Sequence, residues 1–152
     1  MDKRLLVQKV VAKLEETLIR LADAARVSAA DATDEHNRAE NKYDTRATEA
    51  SYLAAGQGRK ALETVQAREA FAALELRDLA PGEPIAPGAL VETEEAGGHA
   101  WYFLGPSAGG TEVEHDGQEV LVITPSSPLG RELTGKRAGD RLPNGTKVST
   151  VL

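Results

Sequence analysis

Apolar residues recur at helical spacing through the first part of the chain. Between Asp2 and Ala32 there is no glycine or proline, and apolar positions follow a 4-3-4-3 spacing, which is typical of a heptad seam. The seam positions are Val7, Val11, Leu14, Leu18, Leu21, Ala25, Ser28 and Ala32. A helix of about 30 residues spans roughly 45 Å at its usual rise per residue. The pattern therefore predicts one long helix.

A second helical pattern runs from about Thr45 to Leu79, with seam positions Leu62, Val65, Ala72 and Leu76. Two seamed helices joined by a short polar segment predict an antiparallel hairpin, with its tip at about residues 33–46. The alternative is two helices that pack separately on a globular core. Small residues dominate both sides of the turn, so a hairpin would taper toward its tip. On the returning side they are Ala47, Ala50, Ala54, Ala55 and Gly58.

The pattern changes where prolines and glycines cluster between Leu79 and Ala89, which predicts a helix stop and a domain boundary. Short β-like runs follow, at residues 89–93, 99–104, 111–115, 119–124 and 147–152. His115-Asp-Gly-Gln118 predicts a hairpin turn. Ser127 is a candidate cap and Pro128 a candidate first residue of one short helix, which Gly135 would end. We predict an α+β protein: a helical hairpin (1–79), a linker (80–88) and a small antiparallel β domain with one short helix (89–152).

Charge and composition narrow the function classes. Residues 1–80 hold 13 Lys and Arg against 14 Asp and Glu, and residues 81–152 hold 5 against 10, so net charges of −1 and −5 make up the total of −6. Neither part has the basic excess that autonomous nucleic-acid binding needs. Cysteine is absent, and the first residues contain no apolar run long enough for a signal peptide or membrane span. We expect a cytoplasmic, monomeric protein without membrane attachment.

The predicted tip carries the densest polar chemistry. Its carboxylates are Asp34, Glu35, Glu40 and Asp44, and basic side chains lie between them. Carboxylate oxygens are ligands that Mg²⁺ prefers, but the segment lacks the ligand pattern of a calcium loop and has too few oxygen ligands for a metal site of its own. The alternative is a solvated turn of helix caps and surface ion pairs. No cofactor is expected for the chain alone.

Two motifs resemble the Gre family of bacterial transcript-cleavage factors. Glu40-Asn41-Lys42-Tyr43, followed by Arg46, is similar to a compressed form of the family's tip motif. The segment Ile123–Asp140, "ITPSSPLGRELTGKRAGD", resembles the family's Ser-Pro-x-(Ala/Gly)-Arg-x-Leu-x-Gly-Lys-x-x-Gly-Asp signature, and this match is long and specific. The resemblance covers most of the chain in order. It implies an FKBP-like C-terminal domain.

The resemblance also implies a function. Gre-type factors bind RNA polymerase, insert the hairpin into its secondary channel and donate tip carboxylates to a Mg²⁺ of the polymerase, which then cleaves backtracked RNA. Such a factor is not itself an enzyme, and it meets RNA only through the polymerase. Glu40 matches the tip glutamate and Asn41 the tip asparagine, whereas Asn37 stands at the position of the tip aspartate. Asp34, Glu35 or Asp44 would then have to substitute, with Asp34 the expected second Mg²⁺ ligand beside Glu40.

Partner contacts are implied at both ends. Tyr43 and Asn41 match tip positions, and Ser127, Pro128 and Leu129 match the segment that the family uses at the polymerase surface. Three other functions stay open: a secondary-channel regulator that does not stimulate cleavage, a peptidyl-prolyl isomerase and a structural coiled-coil protein. The isomerase needs a pocket lined with several aromatic side chains, and the C-terminal part offers Trp101, Tyr102 and Phe103 in one strand.

Overall fold

Two long helices begin the fold. The structure, a computed structural model, describes residues 1–33, 46–95 and 97–152. Helix α1 spans Lys3–Thr33 and helix α2 spans Arg46–Ala72, so both predicted helices are confirmed. The predicted end of the second helix at Leu79 is wrong by about two turns. The chain leaves the helix after Ala72, and Leu79 packs against the hydrophobic core of the sheet instead.

Five strands form one sheet in the order β3-β4-β2-β1-β5. They are β1 Leu90–Glu95, β2 Gly98–Leu104, β3 Glu112–His115, β4 Gln118–Ile123 and β5 Lys147–Val151, and helix α3 (Pro128–Leu133) lies between β4 and β5. The predicted α+β class is confirmed. One pairing differs from the expected antiparallel arrangement, because β2 and β4 run parallel. Strand β4 lies between β2 and β3, so β3 pairs only with β4 and occupies an edge of the sheet.

The turn between β3 and β4 is the predicted two-residue hairpin. His115 pairs with Gln118, and the two residues between them, Asp116 and Gly117, have φ values of 53° and 74°. Positive φ at both central positions is what a type I′ turn requires, and Asp-Gly is among its preferred sequences. This tight turn determines the register of the hairpin, so Glu114 lies directly opposite Glu119.

Contacts divide the chain into two compact units. One comprises Met1–Lys13 together with Glu69–Leu152, which we call the sheet unit, and the other comprises Leu14–Arg68, which we call the helical unit. Helix α1 therefore leaves the sheet unit and α2 returns to it. The predicted division into residues 1–79, 80–88 and 89–152 stays a prediction. None of the helices within the described ranges is both long and apolar enough to cross a membrane.

The first turns of α1 bury a face shifted by one residue from the predicted seam. Leu6 and Val10 are fully buried, whereas the predicted Val7 and Val11 are only half-buried. Farther along, Leu14 is buried as predicted, and Leu18, Leu21 and Ala25 are half-buried. The side chains of the last two seam residues, Ser28 and Ala32, lie outside those that the structure describes, as do those of the small residues 47–55.

Polar contacts attach α1 to the rest of the sheet unit. The ammonium groups of Lys9 and Lys13 donate hydrogen bonds to the backbone carbonyls of Glu114 and Glu112, at 2.9 and 2.8 Å, along edge strand β3. Lysines four residues apart share a helix face, and alternate strand carbonyls point to the same edge, so the two spacings match. Helix α1 thereby covers peptide groups that an edge strand otherwise exposes.

A buried lysine completes the attachment of α1. Lys3 is 6% exposed, and its ammonium donates to the backbone carbonyl of Arg77 at 2.5 Å. Burial lowers the pKa of Lys3, and the nearby Asp78 carboxylate acts in the opposite direction. The contact satisfies a carbonyl in the non-helical segment that follows α2. It helps to explain why this segment is held in place although its helix has ended.

Helix α2 is anchored by Phe71, which the predicted seam omitted. Thr64, Ala67 and Phe71 are the buried residues of this helix among those described, whereas the predicted Leu62 is 59% exposed and Ala72 is also exposed. The predicted seam of α2 is therefore wrong in register. Phe71 is 1% exposed, and its ring stacks on Phe103 of β2 with centroids 6.2 Å apart and planes inclined by 29°. Burying such a ring stabilises the fold by about 1.5–3 kcal/mol.

A second apolar cluster lies on the other face of the sheet, away from the Phe103 side chain. It contains buried residues of the strands, of α3 and of the segments that flank them: Ile85, Ala89, Val91, Leu104, Ile123, Leu133, Leu142 and Val148. Ile85 also pairs through its backbone with Gly135 and Lys136, at 2.9 and 2.7 Å. The proline-rich segment is therefore part of the sheet unit's core, and it fixes the position of α3 on the sheet.

Candidate functional site

The segment from Thr124 to Leu133 is built around the side chain of Ser127. The Ser127 hydroxyl donates to the Thr124 carbonyl at 2.7 Å and accepts from the Gly130 amide at 3.0 Å. Ser127 has extended backbone angles, φ −68° and ψ 156°, and Pro128 occupies the first helical turn. These are the features of a capped helix start, so the predicted cap and the predicted proline position are both confirmed. The cap thus satisfies the Gly130 amide and the Thr124 carbonyl at the start of this short helix.

The end of α3 is equally well defined. Both the amide and the hydroxyl of Thr134 donate to the Gly130 carbonyl, at 2.9 and 2.6 Å. Gly135 follows with φ 81°, a left-handed conformation that glycine adopts without strain, as expected for a helix stop. Farther on, the Asp140 carboxylate accepts from the Arg137 amide at 2.8 Å. Gly135 and Asp140 of the signature segment thus have structural roles in this chain.

Gly130 lies where the helix passes over the preceding loop. It is buried, and a Cβ atom built on it would overlap the Thr124 carbonyl oxygen and come within 2.8 Å of the Ser127 hydroxyl oxygen. Only a residue without a side chain fits this close approach. The packing at Gly130 therefore fixes the position of Pro128 relative to strand β4.

The three predicted contact residues differ in what they can offer a partner. Pro128 is exposed, so its ring is accessible. Ser127 is half-buried and its hydroxyl is already occupied by two internal hydrogen bonds. Leu129 is half-buried and packs against the core cluster, as does Leu133, which lies four residues later on the same helix face. Of the three, Pro128 is the one presented to solvent.

Two exposed residues of the same helix were missed by sequence reasoning. Arg131 and Glu132 are exposed and lie three and four residues after Pro128, so all three share one helix face. The Arg131 guanidinium is held by the Ser126 carbonyl at 2.5 Å. Helical spacing from Pro128 is the signal that identifies them. The outward face of α3 thus combines a rigid proline ring with one positive and one negative side chain.

A polar turn of the proline-rich segment lies in the same unit. The Glu83 carboxylate accepts from the Ala80 amide and from the Arg77 guanidinium, both at 2.8 Å. These two hydrogen bonds, the backbone one first, hold the pKa of Glu83 below its usual value. The next residue back, Gly82, offers its carbonyl to the Arg137 guanidinium. This contact links the turn to the last part of the signature segment.

The predicted tip lies outside the described residues. This applies to the carboxylates Asp34, Glu35, Glu40 and Asp44, and to Asn37, Asn41 and Tyr43. Within residues 1–33, 46–95 and 97–152, no group of three or more histidine or acidic side chains is arranged to hold a metal ion. The roles assigned to the tip, including Mg²⁺ binding by Glu40 and Asp34, therefore stay predictions.

Fold and site together define a two-unit α+β protein with two long helices and an exposed, rigidly capped proline on its sheet unit. No protein-family model matches the chain, and no curated protein sequence matches it significantly. Among solved structures, GreA factor homolog 1 (Gfh1) of Thermus thermophilus is similar over 93% of this chain and 94% of that chain, with 19% identity and a TM-score of 0.37.

Two further solved structures are similar at the same level. A structure of the transcription factor Gfh1 matches with 19% identity, a TM-score of 0.36, and coverage of 93% of this chain and 92% of that chain. Thermus aquaticus Gfh1 matches with 20% identity, a TM-score of 0.36, and coverage of 95% and 92%. Similarity at this level establishes neither a family nor a function for this chain.

Proposed function

We propose that this protein is a Gre-type accessory factor that binds RNA polymerase through its sheet unit. The observation that carries the proposal is the segment Ile123–Asp140, which contains a long and specific match to the Gre family's Ser-Pro signature. In the structure this segment forms a helix whose start is capped by Ser127 and whose Pro128 is exposed. A proline ring held in one orientation loses little conformational freedom on binding, which suits a contact residue.

The length and order of the helices support insertion into a channel of the partner. Helix α1 has 31 residues, which corresponds to roughly 46 Å. Helix α2 returns to the sheet unit after the polar segment 34–45. We infer that this hairpin enters the secondary channel of the polymerase while α3 contacts the polymerase surface. The FKBP-like arrangement of the sheet unit remains part of the proposal.

The proposed reaction is cleavage of backtracked RNA by the polymerase itself. Glu40 and Asp34 would donate oxygen ligands to a Mg²⁺ at the polymerase active site, with Glu35 and Asp44 as further carboxylates and Asn41 and Tyr43 as contact residues. In two-metal hydrolysis the ions stabilise the attacking and leaving oxygens, so one or two added ligands suffice. The factor would contribute ligands and positioning, and it would carry no complete active site of its own.

The second candidate function is a regulator that occupies the channel without stimulating cleavage. It is favoured by Asn37, which stands where the family has its tip aspartate. A neutral amide oxygen is a weaker Mg²⁺ ligand than a carboxylate. Both candidates share the same docking contact and differ only in the effect on the transcript.

Docking is tested by pull-down of purified RNA polymerase with the full chain. We expect Pro128→Ala to weaken binding about tenfold, since central contact residues typically contribute 1–2 kcal/mol. Pro143→Ala is the matched control, because Pro143 is also exposed but lies outside α3. Equal binding by Pro128→Ala and the unaltered protein, with helix content unchanged by circular dichroism, would contradict the docking assignment.

Cleavage is tested on a stalled, backtracked elongation complex supplied with Mg²⁺. The cleavage function predicts shortening of the RNA when the protein is added, and loss of this shortening with Glu40→Ala or Asp34→Ala. Glu16→Ala, an exposed carboxylate of α1, serves as control and should leave cleavage unchanged. Polymerase binding without RNA shortening would support the regulator instead.

A further inference from the structure

A shallow groove crosses the sheet unit on the face that carries the second apolar cluster. Its floor is formed by Ala100, Tyr102 and Leu121, which share one face of β2 and β4 because Tyr102 pairs with Leu121 and side chains alternate along each strand. Glu112 and Glu119 form one wall. The groove has a volume of about 330 Å³, and its lining is completed by His99 and Trp101.

Three glutamates lie close together at this wall, and their mutual repulsion destabilises the pairing of β3 with β4. Glu114 lies directly opposite Glu119, and Glu112 lies two residues from Glu114 on the same face. Like charges directly opposite each other destabilise a strand pair. The Lys13 side chain lines a neighbouring cavity together with these three glutamates. The nearby ammonium of Lys13 bonds the backbone carbonyl of Glu112.

The opposite side of the groove is also acidic. The Tyr102 hydroxyl donates to the Glu95 carboxylate at 3.1 Å, and Thr93 donates to the same oxygen at 3.3 Å. Burial, and then the negative charge of Glu95, raise the pKa of Tyr102, so this phenol stays a neutral donor. An apolar and aromatic floor therefore lies between acidic side chains, and no lysine or arginine is among the described residues that line it.

The arrangement selects one kind of occupant. Among the described residues no three acidic or histidine side chains are arranged to hold a metal ion. Glu112 and Glu119 instead lie side by side along one wall of the groove, an arrangement that suits an extended cation. Phosphates are repelled by this surface. Arginine and lysine combine a positive end with an aliphatic stem, and they interact favourably with the face of an aromatic ring. Charge complementarity thus favours a basic polypeptide.

We propose that this groove binds an arginine- or lysine-bearing segment of a protein partner. The surface is distinct from the Pro128 face of α3, and the inference does not depend on the proposed function. The basic side chains would place their charges beside Glu112 and Glu119 and their stems on Tyr102 and Leu121. Binding would also relieve the repulsion between Glu114 and Glu119.

The test is a nuclear magnetic resonance titration of the ¹⁵N-labelled full chain with a blocked hexapeptide of alternating arginine and leucine. We expect shifts at the amides of Ala100, Tyr102 and Leu121. The same peptide with citrulline in place of arginine keeps the shape but removes the charge, and it should cause no shifts there. Glu112→Gln/Glu119→Gln should weaken binding about tenfold, since exposed ion pairs each contribute up to 1 kcal/mol.

Two controls make the result decisive. Glu15→Gln/Glu16→Gln changes the net charge by the same amount on exposed positions of α1, and it should alter the affinity less than twofold. Thermal unfolding should show that Glu112→Gln/Glu119→Gln folds at least as stably as the unaltered chain, because the substitution removes repulsion. The proposal fails if groove amides do not shift, if both double variants weaken binding equally, or if spermidine binds the groove as tightly as the peptide.

Discussion

The contact between Phe71 and Gly105 gives the sharpest test of how α2 is anchored. Gly105 follows β2 and is buried directly beneath the Phe71 ring. A Cβ atom at this position would lie 2.8 Å from Phe71 Cζ and 3.0 Å from Val122 Cγ1. These separations are well inside the optimum of about 3.5–4.0 Å between carbon atoms. Gly105→Ala must therefore displace the ring or the sheet.

The change in the free energy of unfolding caused by Gly105→Ala is the sum of two opposing effects. Overpacking a well-filled core typically costs about 1–3 kcal/mol. Gly105 does not have a positive φ, so alanine fits its backbone and should recover about 0.4–1 kcal/mol by restricting the unfolded chain. We expect a net loss of roughly 1–2 kcal/mol in the free energy of unfolding.

A double-mutant cycle separates this contact from a general loss of stability. Phe71→Leu alone should cost roughly 1–2 kcal/mol through lost packing. Combined with Gly105→Ala it should cost less than the sum by about 1 kcal/mol, because the smaller side chain leaves room for the new methyl group. The assay is urea unfolding followed by the fluorescence of Trp101, the only tryptophan, which lies in β2 of the same unit.

Gly97→Ala is the matched control. A Cβ atom there meets nothing within 4 Å, and Gly97 has no positive φ, so its stability should be unchanged or slightly raised. Strictly additive losses in the cycle, or a Gly105→Ala variant as stable as the unaltered chain, would refute the reasoning. Either result would mean that Phe71 is not seated on Gly105 in solution.

Three further predictions concern the sheet unit. Gly130→Ala should lower the free energy of unfolding by about 3 kcal/mol or more, seen as reduced solubility or a lower melting temperature, because its Cβ would overlap the Thr124 carbonyl. Ser127→Ala should cost about 1 kcal/mol in urea unfolding through loss of the cap, and Ser127→Asp should retain most of the stability. The Glu83 carboxylate stabilises the fold above its unfolded pKa, and this contribution is lost as the pH falls through its lowered folded pKa. Glu83→Gln or Arg77→Ala should therefore reduce the fall in the free energy of unfolding at acidic pH. An unchanged fall would contradict this role of Glu83.

The strands were predictable because turn chemistry and alternation agree. Asp116-Gly117 is recognisable as a two-residue turn from the amino-acid sequence alone, and it fixes which residues of β3 and β4 face each other. The parallel pairing of β2 with β4 could not be predicted in this way. It depends on which strand edge β4 meets after the hairpin forms, and local sequence does not encode that choice.

For the helices, the presence of each helix could be predicted, but its buried face could not. The existence of α1 followed from a long stretch without glycine or proline, and that of α2 from apolar residues at helical spacing, but the end of α2 and its buried face could not be predicted. No glycine or proline lies between Ala72 and Pro81, so the helical pattern of the sequence continues past Ala72, where tertiary contacts of Leu79 and Lys3 compete with the helix. Leu62 looked like a seam residue by hydrophobicity, and Phe71 became the anchor because the sheet provides a glycine beneath it.

Some features of the candidate site could be predicted from the amino-acid sequence and others could not. The cap at Ser127 and the position of Pro128 were predictable from local preferences. The groove was not, since its floor joins residues from strands that are neighbours only through the parallel pairing. A hint was present in Glu112, Glu114 and Glu119: the predicted turn places all three on one face, where their repulsion has no structural benefit.

The attachment of α1 to strand β3 has a consequence for how this protein can be divided or recombined. A cut in the proline-rich segment separates the sheet from Lys9, Lys13 and Phe71, and so it removes both the cover of an edge strand and the ring that stacks on Phe103 of β2. The isolated sheet would then offer a bare edge to other chains. The shortest independently folding fragment should therefore be a joined one, in which the first thirteen residues are linked to the chain from Glu69 onward. The sheet unit is thus discontinuous in sequence. A chimaeric protein that exchanges one unit should therefore be joined within the helices, near Lys13 and Glu69, and not within the proline-rich segment.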